Sequence, residues 1–324
     1  MKARYLTFFS YIGTPFRFVK GRNYPDPESI QGLMEIALQK LKSLNYPNLT
    51  LSSRTDGGVH ALNTSAHFDL ERYGSKIYNT EDITYNLNKF FYKHNYSIYV
   101  KKCIRVPDNF SARYNAISRT YLYRNGKVDS ECNLILTRIF IKYCQLHPLR
   151  LENYMHYCFF KHYFRVSDFD IEKFREGAKY LVGYHDFTTF KKFDKLKQWK
   201  HNRRELISIE VKPGKPSITS YTREEDSIFN YWDIEIKGRA FVHNQVLIRR
   251  MIGTLNSVAS GKLPAKEIKV MLQVPSKHSW HTFIQTGPPD GLYLCNVEYK
   301  PEDLVYDPEK RQEERREECD SDSE

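Results

Sequence analysis

Two apolar periods alternate along this 324-residue chain, and that alternation limits its fold more than any other feature. Tyr5-Leu6-Thr7-Phe8-Phe9-Ser10-Tyr11 has the two-residue period of a strand. Ile30, Leu33, Ala37, Leu38 and Leu41 then recur at helical spacing, which predicts a helix capped by Asp26 with Pro27 at its first position. Strand-like stretches return at Leu49–Ser53, Thr64–Leu70, Thr120–Arg124, Leu206–Val211, Tyr231–Lys237 and Leu292–Tyr299. A second helix begins near Asp170, with Ile171, Phe174, Ala178, Leu181 and Val182 on one face and Gly183 as its stop. A third carries Ile248, Met251, Ile252, Leu255 and Ala259, with Gly261 beyond its end. Several strand pairs are joined by connections too short for a crossover, which favours α+β architecture with largely antiparallel sheets. Three segments are expected: an α/β unit over 1–106, a second over 107–300, and a disordered acidic tail over 301–324. The stretch Pro148–Val166 is rich in aromatic residues and fits neither period.

Charge narrows the function. The net charge is +11, yet residues 301–324 hold eleven acidic and four basic side chains, so the body alone carries +18. A body that basic suits a polyanionic partner, although solubility alone is an alternative reading. No apolar run reaches the roughly 18 residues of a membrane span, and no secretory signal is expected at the N-terminus. The six cysteines form no Cys-x-x-Cys pair, so neither a zinc site nor a redox motif is signalled, and free thiols are expected.

The chemistry concentrates in Ser53-Arg54-Thr55-Asp56-Gly57-Gly58-Val59-His60-Ala61, a loop between two strand-like stretches. Two glycines after an aspartate free the backbone for a sharp turn and close approach to a ligand. Arg54 is placed to pair with Asp56 and keep its carboxylate ionised when water is excluded, which makes a nucleophile or a base. A solvated Asp-Gly surface turn is the plainer alternative.

Arg54-Thr55-Asp56-x-Gly58-Val59-His60-Ala61 resembles the signature of TruA-type tRNA pseudouridine synthases. Further blocks resemble that family in its own order. They are Tyr11-x-Gly13-Thr14-x-Phe16, Ser29-Ile30-Gln31, Pro107-x-x-Phe110-x-Ala112-Arg113, and Ser118-Arg119-Thr120-Tyr121-x-Tyr123. After them come Leu181-x-Gly183-x-His185-Asp186-Phe187-x-x-Phe190, Arg204-x-x-Ile207, Phe241-Val242-His243-x-Gln245-Val246, Arg249-Arg250-Met251-x-Gly253 and Gly291-Leu292-Tyr293-Leu294. The details are most similar to the eukaryotic pseudouridylate-synthase-1-like branch. Gly57 replaces the usual alanine, the family's aromatic-Gln region is poorly matched over Arg17–Asn23, and Leu247-Ile248 are additional before Arg249. Two added residues turn a helix by about 200 degrees, so either Arg249 or Arg250 faces the site.

The resemblance implies two α/β units around a central basic cleft, the pseudouridine synthase fold. It implies isomerisation of uridine in tRNA without cofactor or metal, by an intracellular protein (mitochondrial, cytoplasmic or nuclear) that is a monomer or homodimer and touches no membrane. A catalytically inactive RNA-binding or chaperone protein on the same scaffold is the alternative. Asp56 is then the catalytic carboxylate, attacking C6 of the base or assisting at C1′. Arg54 pairs with it and helps open the stacked substrate, and Tyr121 stacks on the target base. Tyr123, on the same strand face, is expected in the core. Candidate phosphate contacts are Arg113, Arg119, Lys191, Lys192, Arg203, Arg204, Arg249 and Arg250, to offset extrusion of the target. His60 and His185-Asp186 are expected to be structural hydrogen-bonding groups.

Overall fold

The computed structural model describes residues 1–16, 26–74, 76–128, 169–191, 202–214, 229–241 and 246–307. The aromatic stretch 148–166, Lys192, residues 17–23 and 242–245, and the tail from 308 lie outside the described residues; the start of the expected disordered tail is instead ordered, a short 3-10 turn over Pro301–Leu304 with Leu304 packed on the core.

Among the described residues, a nine-stranded sheet organises the fold in the order β4-β1-β3-β9-β5-β8-β7-β6, with β2 paired to β3. The strands are β1 (Lys2–Tyr11), β2 (Thr50–Leu51), β3 (His60–Glu71), β4 (Ile98–Val106) and β5 (Ala116–Val128), then β6 (Gly183–Asp186), β7 (Arg203–Pro213), β8 (Phe229–Gly238) and β9 (Leu292–Tyr299). All neighbours are antiparallel except β3 and β9, which run parallel through His60 opposite Tyr293 and Ala61 opposite Leu294. That short parallel seam joins two antiparallel halves. One is built from β1–β4, the other from β5–β9.

Five α-helices support the sheet among the described residues: α1 (Ile30–Gln39), α2 (Thr80–Lys93), α3 (Ile171–Leu181), α4 (Val246–Ala259) and α5 (Lys266–Gln273). None is long and apolar enough to cross a membrane. α2 lies on β4, where the Asn88 amide brackets Val100 with two bonds of 2.8 Å. α3 packs against α4 and α5. One apolar cluster extends through both halves, from Ala3 to Tyr299. The mixed, mainly antiparallel architecture is the one the two periods predict.

Some local expectations are corrected. α1 starts at Ile30 rather than after Asp26, because the Ser29 hydroxyl accepts the Gly32 amide at 3.1 Å and so caps the helix itself. A Cβ at position 32 would sit 2.1 Å from the Asp26 carbonyl, so glycine there lets the lead-in fold back on the first turn. Asp170 caps α3 as expected, but Val182 follows the helix end and is exposed. Gly183 and Gly261 take the left-handed conformations that end α3 and follow α4. α2, β4, β6 and α5 have no counterpart among the sequence-based elements. α2 offered only a thin stripe of Ile83, Leu87 and Phe91 within a polar stretch.

Candidate active site

The loop between β2 and β3 is anchored on every side before it presents Asp56. It turns where the Val59 amide donates to the Asp56 carbonyl at 3.1 Å. Gly58, at φ 85°, occupies the left-handed region this turn needs. At the loop's start, Arg119 donates to the Ser52 carbonyl at 3.0 Å. The Ser53 and Tyr121 hydroxyls share a hydrogen bond of 2.8 Å, and Thr55 shares one with the Tyr11 phenol. At its end, the buried His60 ring accepts the Gly13 amide on Nδ1 at 3.0 Å. The same ring stacks on Tyr293 with centroids 4.7 Å apart. A Cβ on Gly13 would come within 1.9 Å of the Val59 carbonyl oxygen, so only glycine allows this approach. His60 therefore acts as a structural acceptor at the seam, as the sequence suggests.

A cation set against Asp56 comes from the other half of the molecule. Arg249 on α4 places Nη1 3.7 Å from Asp56 Oδ2. The two side chains are 18% and 20% exposed, Arg249 first, so the pair is partly withdrawn from water yet still reachable. Attraction is stronger there than between solvated surface charges. Arg249 Nε also donates to the Gly287 carbonyl at 2.6 Å, and the Gly287 amide donates back to the Arg249 carbonyl at 2.9 Å. Close docking of α4 is possible because a Cβ on Gly253 would lie 2.0 Å from the Gln285 carbonyl oxygen. Arg54, expected to be the partner of Asp56, is exposed at the loop surface.

α4 also resolves which of its two arginines faces Asp56. Consecutive helical residues diverge by about 100 degrees. Arg250 accordingly points elsewhere, donating to the carbonyls of Thr189 (3.4 Å) and Lys191 (2.6 Å) and lying 4.4 Å from the Trp280 ring centre. Arg119 is a second correction. It is buried and gives its guanidinium hydrogens to three carbonyls, those of Ser52, Arg113 and Arg239 (2.9–3.0 Å). Burial lowers its affinity for the proton. A guanidinium so engaged ties the loop, the 107–113 segment and the end of β8 together. Arg113 and Arg204 remain half-buried and Arg203 exposed. Arg204 stands opposite His185 in the β6–β7 pair.

Tyr121 is fully buried, its ring edge-on to Phe241 with centroids 4.9 Å apart. Tyr123 is core, as expected, with its hydroxyl donating to the Pro288 carbonyl at 3.2 Å. His185 bonds the Val182 carbonyl, and Asp186 accepts from the Thr188 amide and hydroxyl, so this pair shapes a turn. The two described cysteines, Cys103 and Cys295, are free thiols, and burial pushes Cys295 up to about 12.

This carboxylate–guanidinium pair across a sheet seam stands in a chain with clear relatives. A family model described as tRNA pseudouridine synthase matches residues 178–300. The Xenopus laevis protein named tRNA pseudouridine synthase-like 1 is 32% identical over 94% of this chain and 93% of its own length. The Homo sapiens protein of that name is 31% identical over 92% of this chain and 91% of its own length. The tRNA pseudouridine synthase A of Jannaschia sp. is 29% identical over 91% of this chain and 95% of its own length. The chain belongs to the tRNA pseudouridine synthase family. As a member of that family it has the mixed, mainly antiparallel sheet that membership implies, and vertebrate relatives of similar name accord with the eukaryotic likeness of its motifs. What the sequence alone does not reveal is the set of fastening groups: Ser53, Thr55, Tyr11 and Gly287. Their partners are 38 to 68 positions away, so no local spacing reveals them.

Proposed function

We propose that this chain isomerises uridine to pseudouridine in tRNA, with Asp56 as the catalytic carboxylate. The observation that carries the reading is the meeting of Asp56 with Arg249 across the seam, both largely covered but reachable. The reaction breaks N1–C1′, turns the uracil, joins C5 to C1′, and moves the C5 proton away as N1 gains one. It is redox-neutral and calls for no cofactor. A carboxylate kept charged by Arg249 acts either at C1′ during departure of the base or at C6 of the ring. Arg249 joins Arg54 in setting positive charge beside Asp56, and Arg54, exposed at the loop surface, helps open the substrate. Tyr121 stacks on the target base once Phe241, lying against its ring, gives way.

Residues 1–106 supply the carboxylate and 107–300 complete the RNA cleft. Arg113, Lys191, Arg203 and Arg204 are the phosphate contacts. Arg119 and Arg250 leave that set because backbone carbonyls occupy them. We place the enzyme inside the cell, as a monomer or homodimer with tRNA as its partner. The inactive-scaffold alternative gains no support from relatives named as synthases, nor from a site that keeps its carboxylate and a cation. Release of tritium from 5-tritiated uridine in tRNA tests the reading. The purified chain should release it in step with pseudouridine formation, and no release from any cellular tRNA would refute it.

A further inference from the structure

We infer that Thr55 and Tyr11 form a positioning clamp that fixes the direction in which Asp56 presents its carboxylate. The inference rests on the assignment of Asp56 as catalytic. Thr55 immediately precedes Asp56, so whatever holds its side chain also sets the peptide plane from which Asp56 departs. Its hydroxyl is held by the phenol of Tyr11 across 44 residues of sequence. Tyr11 is a firm anchor. It ends β1, is 3% exposed, and packs on Phe9 with ring centroids 6.1 Å apart. The β1–β3 register shifts between Phe9 and Tyr11, and such an irregularity re-aims a strand side chain. Burial raises the Tyr11 phenol well above its usual range, so it stays a neutral hydrogen-bonding group at every pH at which the enzyme is assayed.

The loop has a second fastening on its other shoulder, Ser53 with Tyr121. Between these two points only Arg54 intervenes, and it is exposed. Losing either fastening leaves the chain folded around Gly13–His60 and Arg119–Ser52 but lets Asp56 drift from Arg249. Misplacement of a reacting group by about 1 Å costs up to about a hundredfold in rate.

The test is single-turnover pseudouridine formation by the full chain, with tRNA affinity and melting temperature measured alongside. Thr55→Val and Tyr11→Phe should each slow the reaction at least about tenfold while tRNA affinity stays within about twofold. The double variant should be no slower than the slower single one, because both remove one bond. Thr55→Ser, which keeps the hydroxyl, should recover to within about threefold of the original rate. Rates for Thr55→Val and Tyr11→Phe within about twofold of the original overturn the clamp, as does Thr55→Ser reacting as slowly as Thr55→Val. If Tyr11→Phe fails to fold, the Val and Ser variants of Thr55 decide the matter. Asp56→Ala in the same assay separates the two claims. If it is active, the catalytic assignment falls; if it is inactive beside an unimpaired Thr55→Val, only the clamp does.

Discussion

Asp56 and Arg249 face each other from opposite sides of the β3–β9 seam and are held there by different means. On one side a loop is fastened bond by bond: Ser53 to Tyr121, Thr55 to Tyr11, His60 to Gly13, and Ser52 to Arg119. On the other side a helix is docked as a body. Leu247, Ile248, Met251, Ile252 and Leu255 are all fully buried, so α4 has no freedom to roll and its register alone decides which arginine reaches the site. Directional bonds break singly, whereas close packing yields collectively. Damage to the loop should therefore be graded, while damage on the helix should depend sharply on position.

The sharpest way to break this comparison is to exchange the two helical arginines for methionine one at a time. Arg249→Met should lower kcat by about a hundredfold or more, the loss expected when a preorganised cation is removed from a partly dehydrated site. Arg250→Met should leave kcat within about threefold and show its effect in the melting temperature, because its bonds run to Thr189 and Lys191. Equal kinetic losses would mean that the register of α4 does not select the site residue. Next in size is Arg119→Met, which strips three carbonyls of their buried donor. Urea unfolding should show a loss of about 2–4 kcal/mol. The salt dependence of tRNA binding should not change, since a structural arginine releases no counterions. Arg113→Ala and Arg204→Ala should instead each reduce that salt slope by about one, with stability little affected.

The smallest effect concerns how the second half is fastened to the first. His67 Nδ1 accepts the Ala112 amide at 3.0 Å. Burial first, and the Arg4 guanidinium second, bring the ring down to about 4 from its ordinary 6.5, against a smaller upward pull from Asp69. The unfolded chain therefore takes up this proton at a higher pH than the folded one. The contribution to stability is full above about 6.5 and is lost as pH falls toward 4. Melting temperatures over that range should drop, and His67→Asn, which keeps an acceptor, should flatten the part due to this residue.

The same contrast explains what the sequence made legible. The loop's Asp-Gly-Gly run, the strand periods and the faces of α1, α3 and α4 are local patterns, and all have their counterparts in the fold. Core assignment of Tyr123 and structural parts for His60, His185 and Asp186 also followed from local chemistry. What the sequence left open depends on distant partners. Arg54 lies two residues from Asp56 and its pairing could be read locally, whereas Arg249, also set against that carboxylate, is 193 positions away, in the half where β9 returns beside β3. Arg119 reads in the sequence as a candidate phosphate contact within a family block, and its burial among carbonyls shows that it fastens the loop. The cap of α1 falls on Ser29, whose hydroxyl takes the Gly32 amide, where glycine at 32 lets the lead-in from Asp26 fold back on the first turn.

The claim that one carboxylate does the chemistry is tested most directly by Asp56→Asn, a change that keeps size and removes charge. With 5-tritiated tRNA, the variant should bind RNA within about threefold of the original chain and release tritium at least about a thousandfold more slowly. Release within about tenfold of the original rate, with binding intact, would contradict the account.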